Sequence, residues 1–262
     1  MPWETVAESS IGGRNEQQDR HLVAHSPDGN SRLLAVADGA GGHKGGAAAA
    51  QTAIDCINQN LDFLWSIDDP ETFINQLIIE CNKRVLSVGD DDLACTTLVL
   101  VLIRSDEIFW GHVGDSRFYL IRNGSVVMQT TDHSVIELQR QQATHDKDVV
   151  VNASSHKLYM CLGALANITP VVSSSVAREG DTLVLCSDGF WGQIDMASLI
   201  TELSEEPLTN QSLTTWIEMA RVSKSERSDN ITLVIARLSK QPHYLNRFFK
   251  AVTVFFNKLR TR

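Results

Sequence analysis

The amino-acid sequence predicts an α+β fold built on a mostly antiparallel sheet. Helical patterns cluster after the first strand pattern and again towards the C-terminus, with a run of strand patterns between them. Strands that follow one another directly pair antiparallel, whereas a parallel sheet needs a crossover helix between strands. Asn123-Gly124 stands between two strand-like runs, which is the strongest short-range signal for a β-hairpin. With 262 residues, 43% of them hydrophobic, the chain can bury a large core.

The first third of the chain predicts one buried strand followed by two helices. The apolar run SRLLAVAD (31–38) is typical of a buried strand, and the glycine-rich segment after it predicts a tight turn. Alanines and an apolar spacing of 3.6 residues predict a helix over 47–61. Pro70 is favoured in the first turn of a helix, so we expect a second helix over 71–88.

The remaining elements follow from apolar runs and their boundaries. We predict strands over these ranges: 93–105, 107–114, 116–122, 126–130, 168–177, 181–187 and 231–238. We predict helices over these ranges: 134–142, 195–204 and 211–224. Residues 143–157 are polar and irregular, so we expect them to form a surface excursion.

Net charge and its distribution divide the chain into a body, residues 1–239, and a tail, residues 240–262. The overall charge of −9 argues against nucleic acid as a partner. The tail carries six basic and no acidic residues, and its apolar residues recur with helical spacing. A basic amphipathic helix is therefore predicted there. It could pack on the acidic body, dock in a partner's groove or lie on an anionic membrane surface.

Cysteine usage and the N-terminus indicate a cytoplasmic protein. The five cysteines are widely spaced and form no C-x-x-C pair, so we interpret them as small buried hydrophobes in a reducing compartment. The first ten residues have no basic segment followed by an apolar one, which excludes a signal peptide of the usual pattern. No run of 18 apolar residues predicts a membrane-spanning helix.

Four aspartates stand where apolar runs end or begin: Asp38, Asp115, Asp188 and Asp229. Alone, each such aspartate is usually a turn or cap residue. Brought together, they would repel one another at neutral pH unless a cation neutralised them. Hard divalent ions such as Mg²⁺ and Mn²⁺ prefer oxygen ligands of this kind. The pattern therefore predicts a metal centre.

Two partial motifs, one for nucleotide binding and one for a serine nucleophile, lack residues that the complete motifs require. The glycine-rich loop has Lys44 where a dinucleotide fingerprint needs its third glycine, and no Gly-Lys-Ser/Thr triplet forms a Walker A loop. Ser228-Asp229-Asn230 and an upstream S-x-x-K at 154–157 lack the K-T-G of the penicillin-recognising enzymes. We interpret the glycines as allowing the backbone to approach a metal, with a main-chain carbonyl as one ligand.

Eight motifs occur in order: GGRNEQQDR (12–20), AVADGAGGHKGG (35–46), TTLVLVL (96–102), GHVGDSRFYLIRNG (111–124), TTDHS (130–134), LGA (162–164), LVLCSDGFWGQI (183–194) and SDNITLVIA (228–236). The series resembles the metal-dependent serine/threonine protein phosphatases of type 2C, the PPM family, in their bacterial form. The resemblance covers residues 10–238. It implies two antiparallel β-sheets packed as a central sandwich flanked by helical layers, and it makes residues 1–239 a catalytic domain.

The resemblance also implies the reaction and its partners. Phosphoserine and phosphothreonine in a protein would be hydrolysed by a water between two Mn²⁺ or Mg²⁺ ions, attacking phosphorus in line. We expect a monomer that opposes a serine/threonine kinase in bacterial signalling, with type VI secretion as one candidate pathway. Two alternatives stay open: a catalytically weak module that binds phosphoproteins, and a phosphatase dedicated to one regulator such as an anti-sigma-factor antagonist.

By the same resemblance, four residues match the metal ligands of the family. Asp38 matches the catalytic aspartate that bridges the two ions, and Gly39 matches the residue whose carbonyl binds the second ion. Asp188 and Asp229 match the other carboxylates on the first ion.

Three further positions match family residues around these ions. Asp19 matches an acid near the second ion that acts through water, and Asp115 matches an acid linked in some bacterial members to a third, weaker ion. Arg14 matches the catalytic arginine that grips the substrate phosphate, for which a planar bidentate donor is well suited.

The chain departs from the family pattern at several positions. Gln18 replaces a glutamate near the second ion, Ala40 stands where some eukaryotic members have a proposed acid, and Cys95 replaces a glycine. The flap region, 134–160, is short.

Other conspicuous residues have simpler interpretations. His43 and His133 are expected to be loop hydrogen bonders, because hard ions prefer oxygen. We expect the tryptophans Trp110, Trp191 and Trp216 to pack in the core. Asp132 is either a helix cap or a residue that supports the site.

Overall fold

The computed structural model describes residues 3–40, 45–88, 94–145, 157–224 and 228–239. Their strands are β1 (Trp3–Ser10), β2 (Arg20–His25), β3 (Ser31–Ala37), β4 (Gly39–Ala40), β5 (Cys95–Thr96), β6 (Leu98–Arg104), β7 (Glu107–Val113), β8 (Arg117–Arg122), β9 (Ser125–Gln129), β10 (Val171–Val176), β11 (Thr182–Cys186) and β12 (Ile231–Leu238). Their helices are α1 (Gly45–Gln59), α2 (Leu61–Ser66), α3 (Pro70–Leu86), α4 (Val135–His145), α5 (Asp188–Trp191), α6 (Met196–Glu205) and α7 (Asn210–Lys224).

Two five-stranded antiparallel sheets form the centre of the molecule. Sheet 1 has the order β1-β12-β11-β8-β9, and sheet 2 has the order β10-β7-β6-β3-β2. The short strands β4 and β5 pair separately. The predicted hairpin at Asn123-Gly124 joins β8 to β9, and both residues have the positive φ that such a turn requires.

Alternating side chains of the strands serve different layers of the core. On β3, Leu34 and Val36 face the layer between the two sheets, whereas Leu33 and Ala35 face α1 and α3. Both faces of this strand are buried, which explains its almost continuous apolar sequence. Each fully buried leucine contributes about 1.5–3 kcal/mol relative to its exposed state.

Helices cover the outer face of each sheet. α1, α2 and α3 pack on sheet 2, while α5, α6 and α7 pack on sheet 1. Asp69 caps α3 by accepting a hydrogen bond from Thr72 N, and Pro70 begins the helix as its position predicts. The order of layers is therefore helix, sheet, sheet, helix, and the predicted α+β sandwich is confirmed.

Several elements differ from the sequence-based expectation. The strands β1 and β2 were not predicted, because WETVAESS and RHLVAH carry polar residues that suit the half-buried outer strands of each sheet. The helix predicted over 47–61 is α1, which begins two residues earlier and ends at Gln59, and the short helix α2 after Asn60 was not predicted. The single-turn helix α5 is too short for a periodicity to show.

The flap region and the tail lie partly or wholly beyond the described residues. α4 continues to His145, three residues further than predicted, and 146–156 lies outside the described residues. The same holds for His43, Lys44 and the tail at 240–262. No described helix combines the length and the apolar character that crossing a membrane requires.

Candidate active site

The residues of the candidate site lie where strands of both sheets end or begin on one side of the sandwich. Antiparallel pairing of Arg20 with Ala37 and of Cys186 with Leu233 aligns the end of β3 with the start of β2, and the end of β11 with the start of β12. The aspartates that follow or precede these strands are therefore brought to the same edge. Rigid strands behind them hold their backbones in place.

Asp38 is held through its backbone by two threonines of the neighbouring strand. Thr97 N donates to Asp38 O at 2.8 Å, and Thr96 Oγ1 donates to the same oxygen at 2.9 Å. Asp38 N donates to Thr97 Oγ1 at 3.0 Å. No side-chain atom of Asp38 takes part in these bonds, and its carboxyl lies at the cleft within reach of the Asp19 carboxyl.

The residue after Asp38 packs backbone against backbone. A Cβ at Gly39 would lie 2.2 Å from the main-chain oxygen of Gly46 in the first turn of α1. Only glycine fits this approach. Packing on α1 is thus the direct reason for a glycine here, and Gly39 itself lines the cleft.

Asp229 is paired with Arg14 across the opening of the cleft. Arg14 Nη2 donates to Asp229 Oδ2 at 2.6 Å, and the two side chains are 57% and 41% exposed. Gly12, with φ of +62°, turns the Arg14 loop directly over Asp229, since a Cβ at Gly12 would lie 2.0 Å from Asp229 O. Asn230 fixes the same loop by donating to Ile11 O and Glu16 O.

Asp19 lies beneath the cleft in a buried polar network. Ser187 Oγ and Thr232 Oγ1 each donate to Asp19 Oδ2 at 2.8 Å. The other carboxylate oxygen, Oδ1, is buried and has no hydrogen-bond partner among the described residues. One oxygen of Asp19 is therefore oriented by the fold, and the other is left to bind something else.

Asp115 follows β7 and is supported by an indole and a guanidinium. Trp191 Nε1 donates to Asp115 O at 2.9 Å. The guanidinium of Arg117 lies 3.5 Å from the centre of the Trp191 ring and makes a bidentate pair with Asp132, both bonds at 2.8 Å. Asp132 thus supports the site through Arg117, while Ser134 is the residue whose Oγ accepts from Glu137 N at the start of α4.

A buried pair of histidines lies behind the Asp115 loop. His133 Nδ1 accepts from Gly114 N at 3.1 Å, and its ring stacks on His112 at 4.7 Å between centroids. Burial and, to a smaller extent, the nearby His112 lower the pKa of His133 to about 4. His133 is therefore a neutral hydrogen bonder, as the sequence predicted.

These residues surround a cleft of about 750 Å³. Six residues predicted for the site line it: Arg14, Asp38, Gly39, Asp115, Asp188 and Asp229. Asp19, the seventh, lies buried behind the wall. Lys157 also lines the cleft and was not predicted, because it belongs to a segment interpreted as a surface excursion.

The carboxylates of the site raise one another's pKa. Burial raises the pKa of Asp38 well above its usual range. Repulsion from four neighbouring carboxylates raises it further: Asp19, Asp188, Asp115 and Asp229. Burial raises the pKa of Asp19 to about 6, although two hydroxyl donors oppose this, and burial with repulsion from Asp188 raises the pKa of Asp115 to about 7. A divalent cation would remove this electrostatic cost.

The donor set fits hard divalent cations. Carboxylate and carbonyl oxygens are the ligands that Mg²⁺ and Mn²⁺ prefer. Within the described ranges, no group of three or more His, Cys, Asp or Glu side chains is arranged to hold a metal ion by itself. An ion of this class commonly keeps several waters and takes only one or two carboxylates, so an open set still fits. The unpartnered oxygen of Asp19 is suited to such a bound water.

Comparisons with known proteins agree with this arrangement. The serine/threonine phosphatase stp of Listeria welshimeri is 26% identical over 230 residues, which cover 85% of this chain and 90% of that protein. The structure of the catalytic domain of the phosphatase PstP in complex with two manganese ions superposes with a TM-score of 0.77 at 26% identity, covering 91% and 99% of the two chains. PppA, described as a regulatory component of type VI secretion in Pseudomonas aeruginosa, shares the fold with a TM-score of 0.73 at 22% identity over 90% and 97%.

The fold and the carboxylate-lined cleft are those of a metal-dependent hydrolase. A family model described as Protein phosphatase 2C matches residues 8–234. The chain therefore belongs to the protein phosphatase 2C family, and the resemblance drawn from its ordered motifs is confirmed. The metal-binding and phosphate-binding roles of its individual residues stay predictions.

Sequence reasoning did not find the residues that support the aspartates. Ser187, Thr232, Thr96 and Thr97 are hydroxyl residues adjoining strand ends, and Trp191 was interpreted as a core residue. The available signal was a small hydroxyl residue beside an acid, as in Ser187-Asp188. Such pairs are common in turns, so the pattern alone carries little weight.

Proposed function

We propose that this chain is a protein serine/threonine phosphatase that hydrolyses phosphoserine and phosphothreonine with two divalent cations, Mn²⁺ or Mg²⁺. The observation that carries the proposal is the cleft itself. It combines several carboxylates, whose ionisation favours bound cations, with an arginine at its opening. Cations and arginine together suit a phosphate dianion.

The carboxylates would divide the task of holding the ions. Asp38 would bind both ions, Asp188 and Asp229 the first, and Gly39 O the second. Asp115 would serve a third, weaker ion. When bound, such ions lower the pKa of a water molecule and offset the charge of the phosphate. In the overall reaction a water oxygen bonds to phosphorus, the phosphorus–oxygen bond to the substrate side chain breaks, and the released oxygen takes up a proton.

Arg14 would bind the substrate phosphate by exchanging partners. Its ion pair with Asp229 is more than 40% exposed on both sides, and a pair of this kind contributes only about 0–1 kcal/mol. Releasing it therefore costs little. A phosphate dianion accepts two parallel hydrogen bonds from the guanidinium, and Asp229 is left free to bind a cation.

The physiological substrate would be a phosphoprotein made by a serine/threonine kinase. Supporting this, the Listeria relative carries the name of a serine/threonine phosphatase. The fold likeness to PppA makes control of type VI secretion a candidate pathway. Comparing phosphoproteomes of cells with and without the gene tests both: phosphothreonine sites should rise in the deletion, and sites on secretion components would support the pathway.

The central experiment is hydrolysis of a phosphothreonine peptide after EDTA stripping, with Mn²⁺ added back. We expect metal-dependent turnover that is abolished by Asp38→Asn and strongly reduced by Arg14→Ala. Asp62→Asn, at an exposed position of α2, is the matched control and should behave as wild type. Folded protein without turnover in saturating Mn²⁺ would contradict the proposal. In that case, retained binding of the phosphopeptide would favour a phosphoprotein-binding module.

A further inference from the structure

Two free cysteines, Cys95 and Cys161, lie side by side in the wall of the cleft. Both line the cleft, and their exposed fractions are only 7% and 6%. What remains exposed of them therefore faces the cleft. A small neutral molecule that enters the cleft would meet these two thiols together.

The backbone holds the two cysteines on adjacent segments. Thr96 and Leu162 form an antiparallel bridge, with Thr96 N donating to Leu162 O at 3.0 Å and Leu162 N donating to Thr96 O at 2.8 Å. Cys95 and Cys161 each directly precede one residue of this bridge. The bridge puts both side chains on the same face, and the two thiols are near enough that each shifts the pKa of the other, downwards for Cys95 and upwards for Cys161.

Cys95 is also connected to the segment that carries the candidate metal ligands. It belongs to β5, which pairs with β4, so that Gly39 is opposite Thr96 and Ala40 is opposite Cys95. Cys95 Sγ donates to Ala40 O at 3.3 Å. A covalent change at Cys95 would therefore move the strand that presents Gly39 O and follows Asp38.

We propose that Cys95 and Cys161 form an oxidation site, at which a hydroperoxide converts the two thiols into an intramolecular disulfide that distorts the cleft. The chemistry of the two thiols stands on their shared place in the cleft wall and on the bridge that holds their segments side by side. Its consequence for catalysis rests on the proposed phosphatase function. Neither the metal sites nor the arginine takes part in the oxidation.

The reaction balances with hydrogen peroxide as the oxidant. The sulfur of Cys95, as thiolate, attacks one peroxide oxygen. A sulfur–oxygen bond forms, the oxygen–oxygen bond breaks, and the departing hydroxide takes a proton to become water. Cys161 sulfur then attacks the sulfenic sulfur of Cys95. The sulfur–sulfur bond forms, the sulfur–oxygen bond breaks, and the second water leaves with the proton of Cys161.

Formation of the bond requires the two segments to move. A disulfide needs its sulfurs about 2.05 Å apart, closer than two free thiols can lie. The bridge between Thr96 and Leu162 places the two cysteines diagonally, and not directly opposite. Drawing them together must shift β5 against β4. Because a displacement of about 1 Å near reacting groups can cost ~100-fold in rate, even a small shift would reduce turnover.

The chain contains its own matched control in Cys56 and Cys81. These thiols are also near enough to shift one another's pKa, and both cysteines are fully buried between α1 and α3. They do not line the cleft. The two pairs therefore share the proximity of their thiols and differ in access from the cleft, which is the property on which the proposal depends.

The test is treatment of the reduced, metal-free, full-length protein with hydrogen peroxide, followed by peptide mapping under non-reducing conditions. We expect a Cys95–Cys161 disulfide, with Cys56 and Cys81 still reduced. The oxidised protein should bind Mn²⁺ more weakly by calorimetry and turn over a phosphopeptide on the order of tenfold more slowly or worse, with recovery in dithiothreitol. The Cys161→Ser variant, normalised to its own untreated state, should lose the reversible response, and Cys81→Ser should keep it.

Three results would overturn the proposal. The two cysteines could stay reduced at peroxide concentrations that oxidise other thiols. The disulfide could form without any change in Mn²⁺ binding or turnover. The response could persist in Cys161→Ser. Failure of the phosphatase proposal is a separate outcome, since it shows as absent turnover before peroxide is added, while mapping and calorimetry still decide the oxidation site.

Discussion

Trp191 provides the sharpest test of how this fold supports its site. It ends the single turn of α5 that begins with Asp188, and its indole N–H donates to Asp115 O at 2.9 Å. The guanidinium of Arg117 lies 3.5 Å from the centre of its ring. Trp191 thus connects two loops that carry candidate metal ligands. Trp191→Phe would keep an aromatic ring and remove the donor.

The expected loss of stability follows from two contacts. One hydrogen bond contributes about 0.5–1.5 kcal/mol net. A phenyl ring is a weaker cation–π partner than indole, and the difference is a fraction of the interaction's ~0.5–2 kcal/mol. We therefore expect a loss of about 1–2.5 kcal/mol in the free energy of unfolding. Since domains are stable by about 5–15 kcal/mol, the variant should stay folded.

The functional consequence is larger than the loss of stability suggests. Without the indole donor, the Asp115 loop can move relative to Asp188, and small displacements of catalytic groups reduce rate steeply. We expect a higher Mn²⁺ concentration for half-maximal activation and about tenfold lower turnover of a phosphothreonine peptide. Urea unfolding gives the stability, and Mn²⁺ titration of activity gives the other two quantities.

Trp216→Phe is the matched control. Trp216 is 3% exposed in the core under α7, and its indole nitrogen has no hydrogen-bond partner in the part of the chain that the structure describes. That substitution should lower stability through lost packing and leave Mn²⁺ activation unchanged. If both variants impair activation equally at comparable stability, the hydrogen bond to Asp115 does not position the site.

Three further predictions concern backbone, charge and pH. Gly12→Ala should lower the free energy of unfolding clearly more than Gly29→Ala. Both glycines have a positive φ, which costs an alanine about 1–2 kcal/mol, but only at Gly12 does the new Cβ meet a backbone oxygen, at 2.0 Å. Equal losses in urea unfolding would contradict this. Asp38→Asn should raise the melting temperature of EDTA-treated protein, because it removes the repulsion between Asp38 and the neighbouring carboxylates. It should also abolish the stabilisation of the fold by Mn²⁺, which reaches about 2.7 kcal/mol when the Mn²⁺ concentration is 100 times Kd. Calorimetric scans with and without Mn²⁺ measure both effects. His133 has its pKa lowered from 6.5 to about 4, so the folded state binds fewer protons and stability falls as pH drops from about 6.5 to 4. The raised pKa values of buried aspartates act in the opposite direction, so the measurement is the difference between wild type and His133→Gln across that range, which should favour the variant progressively as pH falls.

Much of the fold was predictable from local patterns. The strand run at 31–38 and the helix begun by Pro70 follow from apolar periodicity and from the preference of proline for a first turn. The hairpin at Asn123-Gly124 follows from the φ values that the turn requires. The strands β1 and β2 were missed, because their half-buried sequences are stabilised by pairing with β12 and β3.

The candidate site also has residues that the sequence predicted and residues that it did not. Each aspartate that lines the cleft was predictable, because it lies next to an apolar run, and the limit of that run shows where a strand ends or begins. The residues that hold them were not. Ser187 and Thr232 reach Asp19 from 168 and 213 residues away in sequence. Trp191 reaches Asp115 from 76 residues away.

By itself, the sequence determined which of the long apolar segments are buried, where strands end in carboxylates, and to which family the ordered motifs belong. These properties depend on side-chain chemistry and on spacing within a few residues. Tertiary structure alone decided that Arg14 pairs with Asp229, that Trp191 supports the Asp115 loop, and that Cys95 and Cys161 share one wall of the cleft. Those contacts depend on the register and packing of two sheets, which bring together residues that no local pattern relates.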